Sequence, residues 1–167
     1  MLRTRSVQVV VMFLITAANY SFSQTSSPSP KSAIGRPSPH AIIQYVNQQF
    51  GFRFTLPADW SGYKIVMSEW SGDRDMAGVK GPIVSIRHPR WTDENQWQDI
   101  PIMIFTHSQW SLVEDGKLTV SAAPYDPGEI GRNRRYVFAL PPRYNFDRDE
   151  GYDDVINIMK GHPLHAF

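Results

Sequence analysis

The chain has 167 residues, with 17 Lys plus Arg against 16 Asp plus Glu, five His and no Cys, a size that fits one ordinary domain with room for one small extra segment. A formal charge of +1 lacks the dense positive field that drives nucleic-acid affinity, so no nucleic-acid partner is expected. The absence of cysteine removes disulfides, thiolate zinc sites, iron–sulfur clusters, a catalytic Cys and a lipidated Cys, and leaves His, carboxylate and carbonyl groups as the available metal ligands.

Residues 1–23 read as a signal peptide. Arg3 and Arg5 charge the start, the apolar run from Val7 to Ala18 follows, and Ser21 and Ser23 are small residues placed for cleavage before Gln24. That run is too short to cross a hydrocarbon core, and no later stretch is long or apolar enough, so an exported protein that is not integral to the membrane is expected. Cleavage would remove two Arg and no acid, leaving 15 basic and 16 acidic side chains. Residues 24–40 hold nine Ser or Pro in seventeen positions, too little apolar surface to offset the entropy of ordering, and read as a flexible tether. His40 closes it without an evident role.

From residue 41 to 167 the composition is that of a single globular domain. Ile42 to Val46 and Phe52 to Leu56 form a predicted hairpin around the turn Asn47 to Gly51, its second strand alternating apolar and polar residues until Pro57. Tyr63, Ile65 and Met67 give the apolar face of a third strand, and Val84 and Ile86 that of a fourth running from Pro82 toward His88. Ile100 to Thr106 is apolar on both faces and should be central in its sheet. Thr106 to Glu114 has helical spacing in Trp110 and Val113. Leu118 to Ala122 and Arg135 to Leu140 are the last predicted strands, the latter with Tyr136, Phe138 and Leu140 on one face. Asp149 to Lys160 is the stronger helix, with acids in its first turns, a stripe of Tyr152, Val155, Ile156 and Met159, and Gly161 as C-cap. Six to seven strands and two or three helices without strand–helix alternation imply an α+β domain around an antiparallel sheet.

The opening of this domain, carried by Tyr45, Asn47, Gly51, Phe52, Phe54, Pro57 and Trp60, resembles the start of PsbP/Mog1-type α+β sandwich domains and of secreted bacterial domains like them. Gly81 to Trp91 and Gln98 to Trp110 are similar to a secreted bacterial subgroup. The resemblance implies an α+β sandwich and a theme of protein binding without catalysis. The matched residues also make sense as architecture, with Gly51 in a turn, Phe52 and Phe54 in the core, and Trp60 covering the strand end.

Several side chains are candidates for chemistry. His88 shares a strand face with Val84 and Ile86 near Arg87 and Arg90, where it could titrate against a ligand or simply be a hydrogen-bonded core-edge residue. His107 follows the central strand beside Ser108, either as a reactive group or within a helix N-cap. Ser108, one of these histidines and Asp99 would make a triad only if geometry assembled them, and the chain has no G-x-S-x-G elbow. His162 and His165 lack a third metal ligand nearby, and Asp73 and Asp75 lack the remainder of a calcium loop, so no metal is expected. No cofactor-binding Gly motif is present, and no cofactor is expected.

Arg132, Arg134 and Arg135 could capture a carboxylate, phosphate or sulfate, or could be a solvated cluster paired with Asp147, Asp149 and Glu150. Of five tryptophans, Trp60, Trp70 and Trp110 are expected in the core. Trp91 and Trp97, in a polar stretch, are expected to be partly exposed and available to a ligand; with Tyr125 they could stack on a glycan. The expected function is a non-catalytic binding domain of the cell envelope, secreted or periplasmic, whose partner is an envelope protein or surface ligand. The alternative is a small secreted hydrolase using His88, His107 or both, which requires the two imidazoles to converge.

Overall fold

The computed structural model describes residues 41–167 apart from 74–75, 77, 121–124 and 144–149. The signal peptide of residues 1–23, the tether of residues 24–40, and Asp75, Ala122, Asp147 and Asp149 therefore lie outside the described residues.

Strands β1 (Ile42–Asn47) and β2 (Phe52–Pro57) form the expected antiparallel hairpin, Ile42 opposite Pro57 and Asn47 opposite Phe52. The motif residues build its turn. Asn47 accepts the Phe50 N–H through Oδ1 (2.9 Å) and donates to the Tyr45 hydroxyl (2.7 Å), while Gly51 turns the chain at φ +74°, a conformation that costs other residues. A 3-10 turn at Ala58–Trp60 then buries Trp60 completely.

Strands β3 (Lys64–Ser71), β4 (Lys80–Arg87) and β5 (Ile100–Thr106) follow, then helix α1 (His107–Glu114), β6 (Gly128–Arg132), β7 (Tyr136–Leu140), helix α2 (Tyr152–Lys160) and β8 (Leu164–Ala166). They make two antiparallel sheets, β1-β2-β8 and β3-β4-β5-β7-β6. The fold is α+β as expected. The single sheet of six to seven strands is corrected to a three-stranded and a five-stranded sheet, because β8 completes a separate small sheet with the hairpin. Strand β5 is central, and its alternation supplies two cores. Ile100, Ile102 and Ile104 join Phe52, Phe54, Trp60, Val155 and Leu164 beneath β2, β8 and α2. Met103 and Phe105 join Trp70, Trp110 and Val113 beneath α1.

Three other expectations change. Met67 is 53% exposed, because β3 is an edge strand. Leu118 to Val120 has no regular structure, although Leu118 is buried in the α1 core. The strand in that region is instead β6, whose register shifts between Glu129 and Gly131. Helix α1 begins as its sequence indicates, with a capping box between Thr106 and Gln109. Helix α2 starts later than expected, since the Glu150 carbonyl accepts the Gln98 N–H (2.7 Å) and Glu150 bridges to Trp97. Gly151, at φ +83°, is its N-cap.

Candidate functional site

Two clefts lie at opposite ends of the β1–β2 hairpin, and they differ in chemistry. The cleft at the turn end, about 460 Å³, is the more polar of the two and is lined by Gln48, Gln49, Arg134, Arg135, Tyr136 and Phe167 among others. Its basic wall is held by one residue the sequence reading passed over, Asn133. The Asn133 side chain accepts the Arg135 and Tyr136 N–H groups (2.9 Å each). It donates to the Phe50, Gly51 and Phe167 carbonyls (2.9, 3.0 and 3.3 Å). The Asn133 carbonyl in turn lies 2.8 Å from His107 Nε2. An Asn in a short turn before a strand was the available signal.

The three candidate arginines divide. Arg132, on β6, is held by Glu129 of the same strand, with Glu114 of α1 at 4.0 Å; Glu150 is not among its described partners, and Asp147 and Asp149 lie outside the described residues. Arg134 and Arg135 are exposed on the turn and make no ion pair among the described residues. Two exposed guanidiniums thus stand beside two carboxamides on a turn whose backbone the Asn133 side chain fixes, offering donors that an anion could accept.

His88 is 2% exposed. Its ring meets Trp60 edge-on at 4.7 Å and stacks on Trp97 at 4.5 Å. Nδ1 accepts the Arg90 N–H (3.1 Å), which leaves the ring proton of the neutral form on Nε2. Burial, then Arg90, push its pKa below the usual histidine value against the opposing pull of Asp59 and Asp154. Arg87 next to it grips Asp99 through Nε and Nη2 (2.8 Å at closest) and lies 3.9 Å over the Trp91 ring. Trp91 and Trp97 are half-buried, as expected, but one face of Trp97 is covered by His88 and its buried N–H has no partner among the described residues. Trp60, Trp70 and Trp110 are core residues. Tyr125 is 69% exposed.

His107 is exposed beside Ser108 at the start of α1. In the β4–β5 register Ile86 faces Ile100 and Ile83 faces Met103, so His88 and His107 leave opposite ends of the sheet. The strand rise puts them roughly 30 Å apart along it. Asp99 is at the His88 end and committed to Arg87, so the triad with Ser108 is not assembled. His162 lies in a turn and His165 on β8, both exposed. No group of three or more potential metal ligands occurs among the described residues. Asp73 is exposed.

The second cleft, about 350 Å³, lies at the open end of the hairpin against α2. Ile42, Leu56, Pro57, Trp60, Ile158 and Pro163 give it an apolar lining, and Asp59, Asp154 and Asn157 are its polar members. No helix among the described residues is long and apolar enough to cross a membrane.

Against known proteins the chain matches no family model, no curated sequence and no solved structure.

Proposed function

We propose that this chain is an exported, non-catalytic binding domain of the cell envelope whose polar cleft captures an anionic group on an envelope protein or surface ligand. Cleavage near Ser23 and Gln24 frees it, residues 24–40 tether it, and its α+β sandwich is of PsbP/Mog1 type. The likeness to that family rests on Tyr45, Asn47, Gly51, Phe52, Phe54, Pro57 and Trp60, which shape the β1–β2 hairpin and its core contacts. The observation that carries the binding reading is the pair Arg134 and Arg135. They stand in a concave surface, without carboxylate partners among the described residues, on a turn that Asn133 holds at five points. Ion pairs formed there would gain from a wall already ordered before the ligand arrives.

A small hydrolase would need His88 and His107 near one nucleophile, and the antiparallel pairing of β4 and β5 separates them instead. His88 is walled in by two indoles, which favours a structural role.

The test is thermal melting of the chain and of an Arg134→Gln/Arg135→Gln variant in sulfate, phosphate and citrate. Sulfate and phosphate stabilise most proteins through exclusion from their surface, so the difference between the two proteins is the readout. At a hundredfold excess over Kd, site binding adds about 2.7 kcal/mol, roughly 5–10 °C for a domain of this size. That increment should vanish in the variant. Equal rises in both proteins would refute the anion cleft, and hydrolysis abolished by His88→Ala or His107→Ala would replace the binding reading with the enzymatic one.

A further inference from the structure

The cleft at the open end of the hairpin is a separate feature with the opposite electrostatic character. We propose that it is a binding site for a small organic cation, an ammonium group carried on an aliphatic or aromatic body. The body is specified by the walls. Ile42, Leu56 and Pro57 from the hairpin, Trp60 from the turn after β2, and Ile158 from α2 line a space of about 350 Å³, at the small end of the range that accommodates organic ligands. Ile42 is 66% exposed, so covering it removes apolar surface from water.

The charge is specified by Asp59 and Asp154, which approach the cleft from two different elements, the 3-10 turn and α2. Neither carboxylate makes an ion pair among the described residues. Lys160, the cation of α2, donates to the neutral Asn157 side-chain Oδ1 at 3.3 Å and forms no ion pair with either carboxylate. His88 lies behind Trp60 and accepts a backbone N–H. An ammonium at the rim therefore meets two carboxylates that have no ion-pair partner among the described residues, while its body reaches the apolar wall. An anionic ligand would be repelled by the same pair, and a neutral one would gain only the wall. The concave volume, bounded by α2 and the end of β2, commits the site to a small molecule rather than to a long peptide segment.

The experiment titrates the purified chain by calorimetry with three ligands of one shape, 4-phenylbutylamine, 4-phenylbutanol and 4-phenylbutyrate. The amine should bind roughly tenfold more tightly than the alcohol, in keeping with charge-assisted hydrogen bonding, and the carboxylate should not bind detectably. Asp59→Asn/Asp154→Asn keeps the shape of both side chains and should reduce the amine to the affinity of the alcohol, with the melting temperature lowered only slightly by the loss of an acid from the first turn of α2. Should that variant fail to fold, Ile42→Ser, a substitution at an exposed position, should weaken amine and alcohol alike. Arg134→Gln/Arg135→Gln should leave amine binding untouched, which separates this cleft from the anion cleft. Equal binding of amine and alcohol, binding of the carboxylate, or no heat with the amine overturns the proposal. So does a lysine-containing peptide that binds where the amine does not.

Discussion

Burial that outweighs the pull of Asp59 and Asp154 is what defines His88. A charged imidazole between Trp60 and Trp97 would lose its hydration and gain nothing comparable, so the neutral ring is favoured and its pKa falls below the usual value. The consequence for stability follows by linkage. A depressed folded pKa means that the unfolded chain binds the proton more readily, so the histidine's contribution is complete above the unfolded pKa, near 6.5, and is lost as pH falls through the lower folded value. His88→Phe keeps a ring in the cage and removes the titration. Urea midpoints at pH 7.5, 6.0 and 5.0 should fall more steeply for the parent than for the variant. At pH 7.5 the variant should be weaker by about 1 kcal/mol, because the Arg90 N–H loses its acceptor. Parallel pH profiles would mean that the ring is protonated as easily in the fold as outside it.

The elements are joined at a few points where one residue type alone fits. Segment 88–99 docks on the start of α2 by seating Trp97 against Gly151, where a Cβ would come within 1.9 Å of the indole nitrogen. Gly151→Ala must therefore displace a packed indole and also occupy φ +83°, and the two effects together should cost about 2–4 kcal/mol in urea unfolding. A loss below about 1 kcal/mol would show that the segment is free to shift. These joints also explain what the sequence disclosed. Strands β2, β3, β4 and β7 were legible in their period-two faces, β1 as the hairpin partner of β2, β5 in a run apolar on both faces, and α1 in the helical spacing of Trp110 and Val113. Strand β8 has three residues after Pro163 and exists through its pairing with β2. Strand β6 contains two glycines and a shifted register, so neither strand presents a pattern. The site was legible in the same proportion. The run of arginines pointed to the proposed anion cleft, but only the fold shows that Arg132 turns to Glu129 while Arg134 and Arg135 make no ion pair among the described residues. Asp59 and Asp154 meet from distant parts of the chain, and no local spacing announces that meeting.

Across the whole domain, the decisive feature is that β5 belongs to both cores. Its even-numbered isoleucines pack beneath the small sheet and α2, while Met103 and Phe105 pack beneath α1. Neither core can dissolve without stripping one face of the same strand, so the two should melt as one unit despite lying on opposite sides of the large sheet. Tryptophans mark them separately, with Trp60 in one core and Trp70 and Trp110 in the other. Variants retaining Trp60 alone or Trp110 alone, with Phe in place of the others, should give fluorescence transitions in urea that coincide with each other and with the loss of far-ultraviolet dichroism. Phe105→Ala, placed in either background, should lower stability by about 3–5 kcal/mol. It should move the Trp60 signal as far as the Trp110 signal, although Phe105 contacts only the second core. A Trp60 transition left in place while Trp110 shifts would mean that the hairpin, β8 and α2 hold their side of β5 on their own, and the domain would be two cooperative units sharing a strand.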